Sequence, residues 1–181
     1  MKKIILTAFT ATSLLLSSSS IFAGPLTISL GIPQEQTFTE KNEDGSKIET
    51  DGSSGYFLGI KFPIGFGLGI DSYKTKTKDN TPTVEVATMI YNLYYLLPIP
   101  IINLTLGVGV GSTELQCGTC ATSFDKGSAS QWYASFGMPI IPLFDLHLSY
   151  RSVSSKIKTK TGSAEHDFGG NVMGLGIGFN F

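Results

Sequence analysis

The last eight residues of the chain alternate between apolar side chains and small or polar ones. Leu175, Ile177, Phe179 and Phe181 fall on one face of an extended strand, and the other face carries three glycines and Asn180. A period of two is typical of a β-strand with a single apolar face. Lipid outside and a crowded lumen inside would suit such a strand, so the pattern favours a transmembrane β-barrel.

Seven earlier segments of the chain show related character. Six of them alternate as the last one does, whereas the fourth is apolar and aromatic on both faces, so its register stays open. The eight predicted strands are 26–32, 56–62, 66–73, 83–97, 102–111, 131–138, 144–151 and 174–181.

The connections between these segments alternate between long and short. Three short, Pro-containing turns are predicted at 63–65, 98–100 and 139–142, and an even-numbered meander of this kind can close on itself and leave no unpaired edge. The prediction is an all-β chain forming an eight-stranded antiparallel up-and-down transmembrane β-barrel. A secreted β-sandwich is the alternative, but its outer faces would carry more charge. The four long polar loops are predicted at 35–54, 74–82, 112–130 and 153–167.

The amino terminus resembles a secretory signal peptide. Lys2 and Lys3 precede an apolar stretch at 4–16, and Ala23 offers a small residue for cleavage. The apolar stretch is shorter than the roughly 20 residues that a spanning helix needs. We therefore expect a signal peptide at 1–23 and one barrel domain at 24–181.

Composition narrows the class of partner. Residues 24–181 carry 11 basic and 14 acidic side chains, a formal charge of −3, which does not suggest a nucleic-acid partner. No segment after the leader has the long apolar run of a spanning helix, so residence in a membrane would have to use strands. The sequence predicts no cofactor and no metal site.

In layout, residues 24–181 resemble the small eight-stranded outer-membrane barrels, the group that includes OmpX, the OmpA membrane domain and, more loosely, OmpW. Gly176, Phe179 and Phe181 match the carboxyl-terminal assembly signal of that group, although Gly174 stands where a polar residue is usual. The resemblance implies a Gram-negative outer membrane with its lipids and lipopolysaccharide, and the barrel-assembly machinery as a partner. It also implies periplasmic termini and long loops at the cell surface.

The predicted lumen carries several charged side chains. An eight-stranded barrel has just enough interior for side chains to fill it, and isolated charges there would be costly. We expect an internal network in which Lys61 and Asp71, which flank one short turn, form a pair. A small cavity or a narrow ion path is the alternative to a filled lumen. The expected network comprises Lys61, Asp71, Asn103, Asp145, His147 and Arg151.

Two further features bear on chemistry. Cys117 and Cys120 lie in the third long loop, and in an exported protein such a pair is predicted to form a disulfide, although a redox pair and half a zinc site share the spacing. Tyr91, Tyr94 and Tyr95, with Trp132 and Tyr150, are expected to include interfacial belt positions rather than a sugar-binding or ligand-stacking set.

His147 and Ser149 are weak catalytic candidates. They lie on one strand face, with Glu165 or Asp167 downstream as an orienting acid, and they are superficially similar to the His-x-Ser element of lipid A deacylases. Tyr150 departs from the Asn that those enzymes tend to carry, and the acid is at a different spacing. A lumenal histidine held by hydrogen bonds is the preferred interpretation.

The sequence thus predicts a non-enzymatic outer-membrane scaffold with a filled lumen, whose loops contact extracellular or host ligands. The alternative is a lipid A-modifying hydrolase, or a narrow channel for ions or small hydrophobic ligands.

Overall fold

The chain forms a closed, all-antiparallel barrel. The computed structural model describes residues 26–39, 41, 45–78, 84–97, 99, 102–118, 120–141, 143–160 and 165–181. The predicted signal peptide lies outside this part. The strands are β1 (Thr27–Phe38), β2 (Thr50–Lys61), β3 (Phe66–Thr77), β4 (Glu85–Leu97), β5 (Asn103–Gln116), β6 (Gly127–Ile141), β7 (Phe144–Lys158), β8 (Glu165–Asp167) and β9 (Gly170–Asn180), with one helical turn, α1 (Cys120–Ser123).

Each strand pairs with its neighbours in chain order, and the sheet closes through β9. This strand pairs with β1 on one side and β7 on the other, while β6 also pairs with β7. The short β8 pairs only with the last residues of β7. β9 pairs with the first part of β7 and β8 pairs with its last residues, so the two short strands together take the place of one wall strand. The barrel therefore has eight strands, as expected. Among the described residues, no helix is long and apolar enough to cross a membrane.

Except for β4, which begins two residues later than predicted, the strands are longer than the sequence analysis predicted, and the loops are correspondingly shorter. The loop expected at 74–82 begins only after Thr77, and the loop expected at 153–167 begins only after Lys158. In β3, Thr75 and Thr77 point inward and are buried, whereas Lys74 and Lys76 are exposed. The alternation of inward and outward side chains therefore continues beyond the apolar part of the strand, where lysine replaces leucine on the outer face. The predicted strand ends were wrong because they were placed where the apolar residues stop.

The outer face is apolar over the half of the barrel that carries the short turns. On β2, for example, Tyr56, Leu58 and Ile60 are each 44% exposed, and the next outward residue toward the long loops is Ser54. A water-soluble protein rarely exposes so large a continuous apolar area. The apolar belt includes Ile28, Leu30, Ile32, Leu68, Tyr91, Leu93, Leu106, Val108, Val110, Trp132, Phe136, Leu146, Leu148, Met173, Leu175 and Ile177.

The register of β4, which the sequence left open, is decided by its neighbours. Asp71 of β3 lies opposite Ile90, and Gly107 of β5 lies opposite Tyr94. Val86, Ile90 and Tyr94 are consequently buried in the lumen. Tyr94 is thus not a belt residue, whereas Tyr91 is 55% exposed on the outer face.

Candidate functional site

The centre of the lumen holds a buried ion pair between Asp71 and Arg151. Arg151 Nε donates to Asp71 Oδ2 at 2.8 Å, and its Nη2 lies 3.4 Å from Oδ1. Asp71 is 2% exposed and Arg151 is 5% exposed. Since β3 and β7 lie on opposite walls of the barrel, the pair spans the lumen. Charges this deeply buried depend on each other and on further hydrogen bonds.

Polar and aromatic neighbours surround this ion pair and contact both of its members. Gln131 Nε2 lies 2.6 Å from both Asp71 Oδ2 and Asn92 Oδ1. The guanidinium of Arg151 stacks on the ring of Phe57, 3.4 Å from its centroid, and faces Tyr133 at 5.1 Å. We call Asp71, Arg151, Gln131, Asn92 and Phe57 the central plug.

The expected pairing of Lys61 with Asp71 was wrong. In the β2–β3 ladder, Lys61 lies opposite Gly67 and Asp71 lies opposite Phe57. Four residues therefore separate the two side chains along β2, about 13 Å at 3.3 Å per residue. The sequence analysis identified the charges but matched them across the nearest turn, because it had no information on which side chains meet across a closed barrel.

A second polar cluster lies at the end of the barrel with the short turns. Asn103 Nδ2 donates to Asp145 Oδ2 at 2.8 Å, and Asn180 Nδ2 donates to the same oxygen at 3.2 Å. Thr27 Oγ1 donates to Asn180 Oδ1 at 2.7 Å. Asp145 is thus held by amides, although Lys61 is near enough to interact with it electrostatically.

A cavity of about 80 Å³ separates this cluster from the central plug, enough for a few water molecules. Lys61, Asn103, Asp145 and His147 line it, and Arg151 lies at its inner end. Beyond the plug the lumen is filled. Tyr73, Ile90, Val153 and Val172 form one buried cluster with Phe57 and Ala129.

A second apolar cluster closes the end of the barrel with the long loops. It contains Phe38, Val86, Leu115, Cys120 and Ile157. Cys117 and Cys120 form a disulfide, and Cys120 is 4% exposed. The disulfide therefore joins the loop after β5 to the top of the packed lumen.

The geometry of His147 and Ser149 does not assemble a catalytic triad. Ser149 Oγ accepts from Arg151 Nη1 at 2.5 Å and donates to the carbonyl of Gly174 at 3.2 Å. Asp167 lies opposite Lys156 in the ladder, nine residues from His147 along β7, a span of about 30 Å. His147 itself lies in the lumen between Gly137 and Gly176, and no hydrogen-bond partner reaches its buried Nε2.

Glu165 and Asp167 lie on β8, beyond the apolar belt, and their contacts are to neighbouring strand and turn residues. Glu165 lies 3.0 Å from Lys156 Nζ on the exposed face. The hydrogen bond from Lys156, followed by its positive charge, lowers the pKa of Glu165, and the same hydrogen bond raises the pKa of Lys156. Asp167 Oδ1 accepts from the backbone N–H of Gly169 at 2.9 Å, at the break between β8 and β9.

The residues of the proposed assembly signal lie on β9 and just after it. The ring of Phe179 packs edge-on against Phe144, with centroids 5.0 Å apart, and Phe181 is 64% exposed. Gly176 lies opposite His147 on one side and Gly31 on the other. Recognition by an assembly factor stays a prediction.

Sequence reasoning missed three members of the plug. Phe57 and Gln131 were not in the predicted network, and Asn92 lies in the strand whose register stayed open. One signal in the sequence could have identified Gln131. Gln131 and Tyr133 share the inner face of β6, and Arg151 is on the inner face of the next strand, β7. Within the described residues, no cluster of His, Cys, Asp and Glu could hold a metal ion.

Comparison with known proteins agrees with this architecture. Neisserial surface protein A aligns with a TM-score of 0.63 over 86% of this chain and 97% of its own, at 12% identity. The chain has the fold of the small eight-stranded outer-membrane barrels. Outer membrane protein W of E. coli aligns with a TM-score of 0.55 over 87% of this chain and 98% of its own, at 11% identity. OprG of Pseudomonas aeruginosa aligns with a TM-score of 0.50 over 87% and 96%, at 12% identity. No family model and no curated protein sequence matches the chain.

Proposed function

We propose that this protein is an integral barrel of the bacterial outer membrane that acts as a rigid, non-conducting scaffold for surface contacts. The observation that carries the proposal is the combination of an apolar outer belt with a lumen closed by the central plug. The belt suits hydrocarbon, and the side chains that meet across the lumen in the plug support a closed interior. Short turns and both termini would face the periplasm, and the loops would contact extracellular or host ligands.

Membrane residence is tested first by fractionation of cells that express the full chain and by electrophoresis with and without boiling. An outer-membrane protein of this fold should sediment with the outer membrane and migrate anomalously until it is boiled. A processed chain that stays soluble and monodisperse without detergent would contradict the proposal.

Closure of the lumen is tested by recording from planar bilayers. The wild-type barrel should give no steady conductance, because Arg151 and its neighbours block the path inward from the cavity. Steady ion-selective openings would instead support a narrow channel.

A hydrolytic role has no support from the arrangement of His147 and Ser149, and we propose none. Mass spectrometry of lipid A from cells that express the wild type or the His147→Ala variant should give the same species. Loss of a modified species in the variant would support the hydrolase.

A further inference from the structure

The end of the barrel with the short turns is apolar on its outside and at its tips. Ile64 in the β2–β3 turn is 68% exposed, and Ile140 and Leu143 around the β6–β7 turn are 64% and 58% exposed. Ile99, after β4, is 38% exposed. Turns that project into water normally carry polar residues such as Asn, Asp and Ser.

Charged side chains are absent from all three turn segments. Residues 62–66, 97–103 and 138–144 contain no Asp, Glu, Lys or Arg. The first charges on the adjoining strands, Lys61 and Asp145, both line the lumen. The turn segments at this end therefore carry no charged side chain that needs water.

The sequence of the turns also limits the number of backbone donors. Five of the eight prolines of the chain lie at 63, 98, 100, 139 and 142, and proline has no backbone N–H. In the β2–β3 turn, the N–H of Phe62 donates to the carbonyl of Phe66 at 2.8 Å. The N–H of Gly65 donates to the carbonyl of Phe62 at 3.0 Å. The carbonyl of Gly65 accepts from the N–H of Leu96 at 2.8 Å. Satisfying backbone groups internally is what a nonpolar environment requires.

The height of the belt gives a further reason. On β7 the apolar outward residues run from Phe144 to Tyr150, and six residues at ~3.3 Å each with a tilt of roughly 40° span ~15 Å. The apolar band of outer-membrane barrels is about 25 Å tall. On β4 the apolar outward residues run from Met89 to Leu97, and this separation of eight residues spans ~20 Å with the same rise and tilt. The strands alone therefore reach less than the height of that band, and exposed turn residues such as Ile64 extend the apolar surface.

We propose that the three short turns are inserted into the lipid of the inner, periplasmic leaflet instead of projecting into the aqueous periplasm. This inference rests on the proposed membrane residence. The partner is phospholipid at the boundary between acyl chains and headgroups. The exposed isoleucines and Leu143 act as side-chain anchors, and proline suits an inserted turn because it has no backbone N–H to leave unpaired.

Tryptophan fluorescence tests this insertion, because Trp132 is the only tryptophan and lies in the outer belt. Single-tryptophan variants are made in a Trp132→Phe background by Ile64→Trp or Ile140→Trp, and the barrels are refolded into phosphatidylcholine vesicles. Lys126→Trp, on the exposed far end, is the matched aqueous control. Quenching is measured with lipids brominated on the acyl chain near the headgroup, and with acrylamide in water.

Both turn variants should be quenched by brominated lipid as strongly as Trp132 in the unmodified chain, and they should be protected from acrylamide. The Lys126→Trp variant should show the reverse. If Trp132 is quenched by lipid but both turn positions respond only to acrylamide, the turns project into water, or await a periplasmic protein, and the inference is wrong. If Trp132 itself is not quenched by lipid, the proposed membrane residence fails first. Using two turn positions protects the test against one variant that does not fold.

Discussion

At the residue scale, Arg151 has the largest number of different roles. It neutralises Asp71, donates to Ser149 and covers the face of Phe57. In a low-dielectric interior, a pair of this kind contributes little net stability relative to apolar packing, but removal of one partner leaves an uncompensated charge. We propose that the pair specifies one arrangement of the lumen.

Asp71→Asn should lower the free energy of unfolding by about 3–5 kcal/mol, because Arg151 would stay buried without its counter-charge. Urea titration of the barrel in lipid vesicles measures the change. The double variant Asp71→Asn with Arg151→Met should recover part of the loss. Lys126→Gln, which breaks an exposed pair with Glu114, is the control and should cost no more than about 1 kcal/mol. Equal effects of Asp71→Asn and the control would contradict a coupled central plug.

Glycines on the inner face make room for the aromatic rings of neighbouring strands. A Cβ atom added at Gly107 would lie 2.3 Å from Cε1 of Tyr133, whose ring also contacts Tyr94. We expect Gly107→Ala to cost about 1–3 kcal/mol through overpacking. Gly118, in the loop, has nothing within 4 Å of such an atom, so Gly118→Ala should leave the unfolding midpoint unchanged. A neutral result for Gly107→Ala would show that the Tyr133 ring has space to move.

At the scale of elements, the strands continue well beyond the apolar belt. β7 extends to Lys158, and its last residues pair with β8 on the exposed side of the barrel. Within the described residues, β8 pairs with β7 at three positions, Lys156–Asp167, Ile157–His166 and Lys158–Glu165. An exposed salt bridge between Lys156 and Glu165 adds to these ladder pairs.

Protonation of Glu165 should loosen β8. The pKa of Glu165 is lowered in the folded protein, so its contribution to stability is complete above the ordinary glutamate value of about 4.3 and disappears as the pH falls through the lowered pKa. The raised pKa of Lys156 has the opposite sense, and its contribution disappears only at strongly alkaline pH. Amide hydrogen exchange of residues 165–167 should accelerate below about pH 4.3, beyond the intrinsic pH dependence.

Lys156→Gln is the matched control for this measurement. The variant lacks the charge that lowers the pKa of Glu165, so its β8 should exchange faster at neutral pH and lose the acid-dependent step. Protection of β8 that does not change between neutral and acidic pH in the wild type would show that the pair has no part in holding the strand.

At the scale of the whole molecule, the barrel is divided along its axis. The end with the short turns is apolar outside and contains a small polar cavity, whereas the end with the long loops is charged outside and packed with apolar side chains inside. This division fits a protein that is inserted in one direction. The predicted assembly signal ends at Phe181, at the end with the short turns.

Phe181→Ala should reduce the amount of barrel assembled in cells without preventing spontaneous folding in detergent, because Phe181 is 64% exposed and contributes little to packing. The heat-modifiable fraction in outer membranes, compared with refolding yield in vitro, measures the two effects. Ile177→Ala, another outward residue of β9 that lies outside the proposed signal, should assemble normally. Equal assembly of both variants would contradict a role for Phe181 in recognition.

The sequence by itself determined the number of strands and the face of most of them. The alternation of apolar and small or polar residues with a period of two is a local property of the sequence. Leu175 and Gly176 can therefore be assigned to opposite faces of their strand without knowledge of the fold. It also determined which charges would be lumenal. Strand ends were misplaced, because polar alternation such as Lys74 to Thr77 resembles a loop when only hydrophobicity is considered.

Tertiary structure alone decided which lumenal groups meet. Asp71 and Arg151 are 80 residues apart, and only closure of the sheet, with its particular stagger, brings their strands face to face. Pairing with β3 and β5 fixed the register of β4, which is apolar and aromatic on both faces in sequence. Contacts across a barrel depend on the relative shift of all its strands, and that shift is not encoded in any single segment.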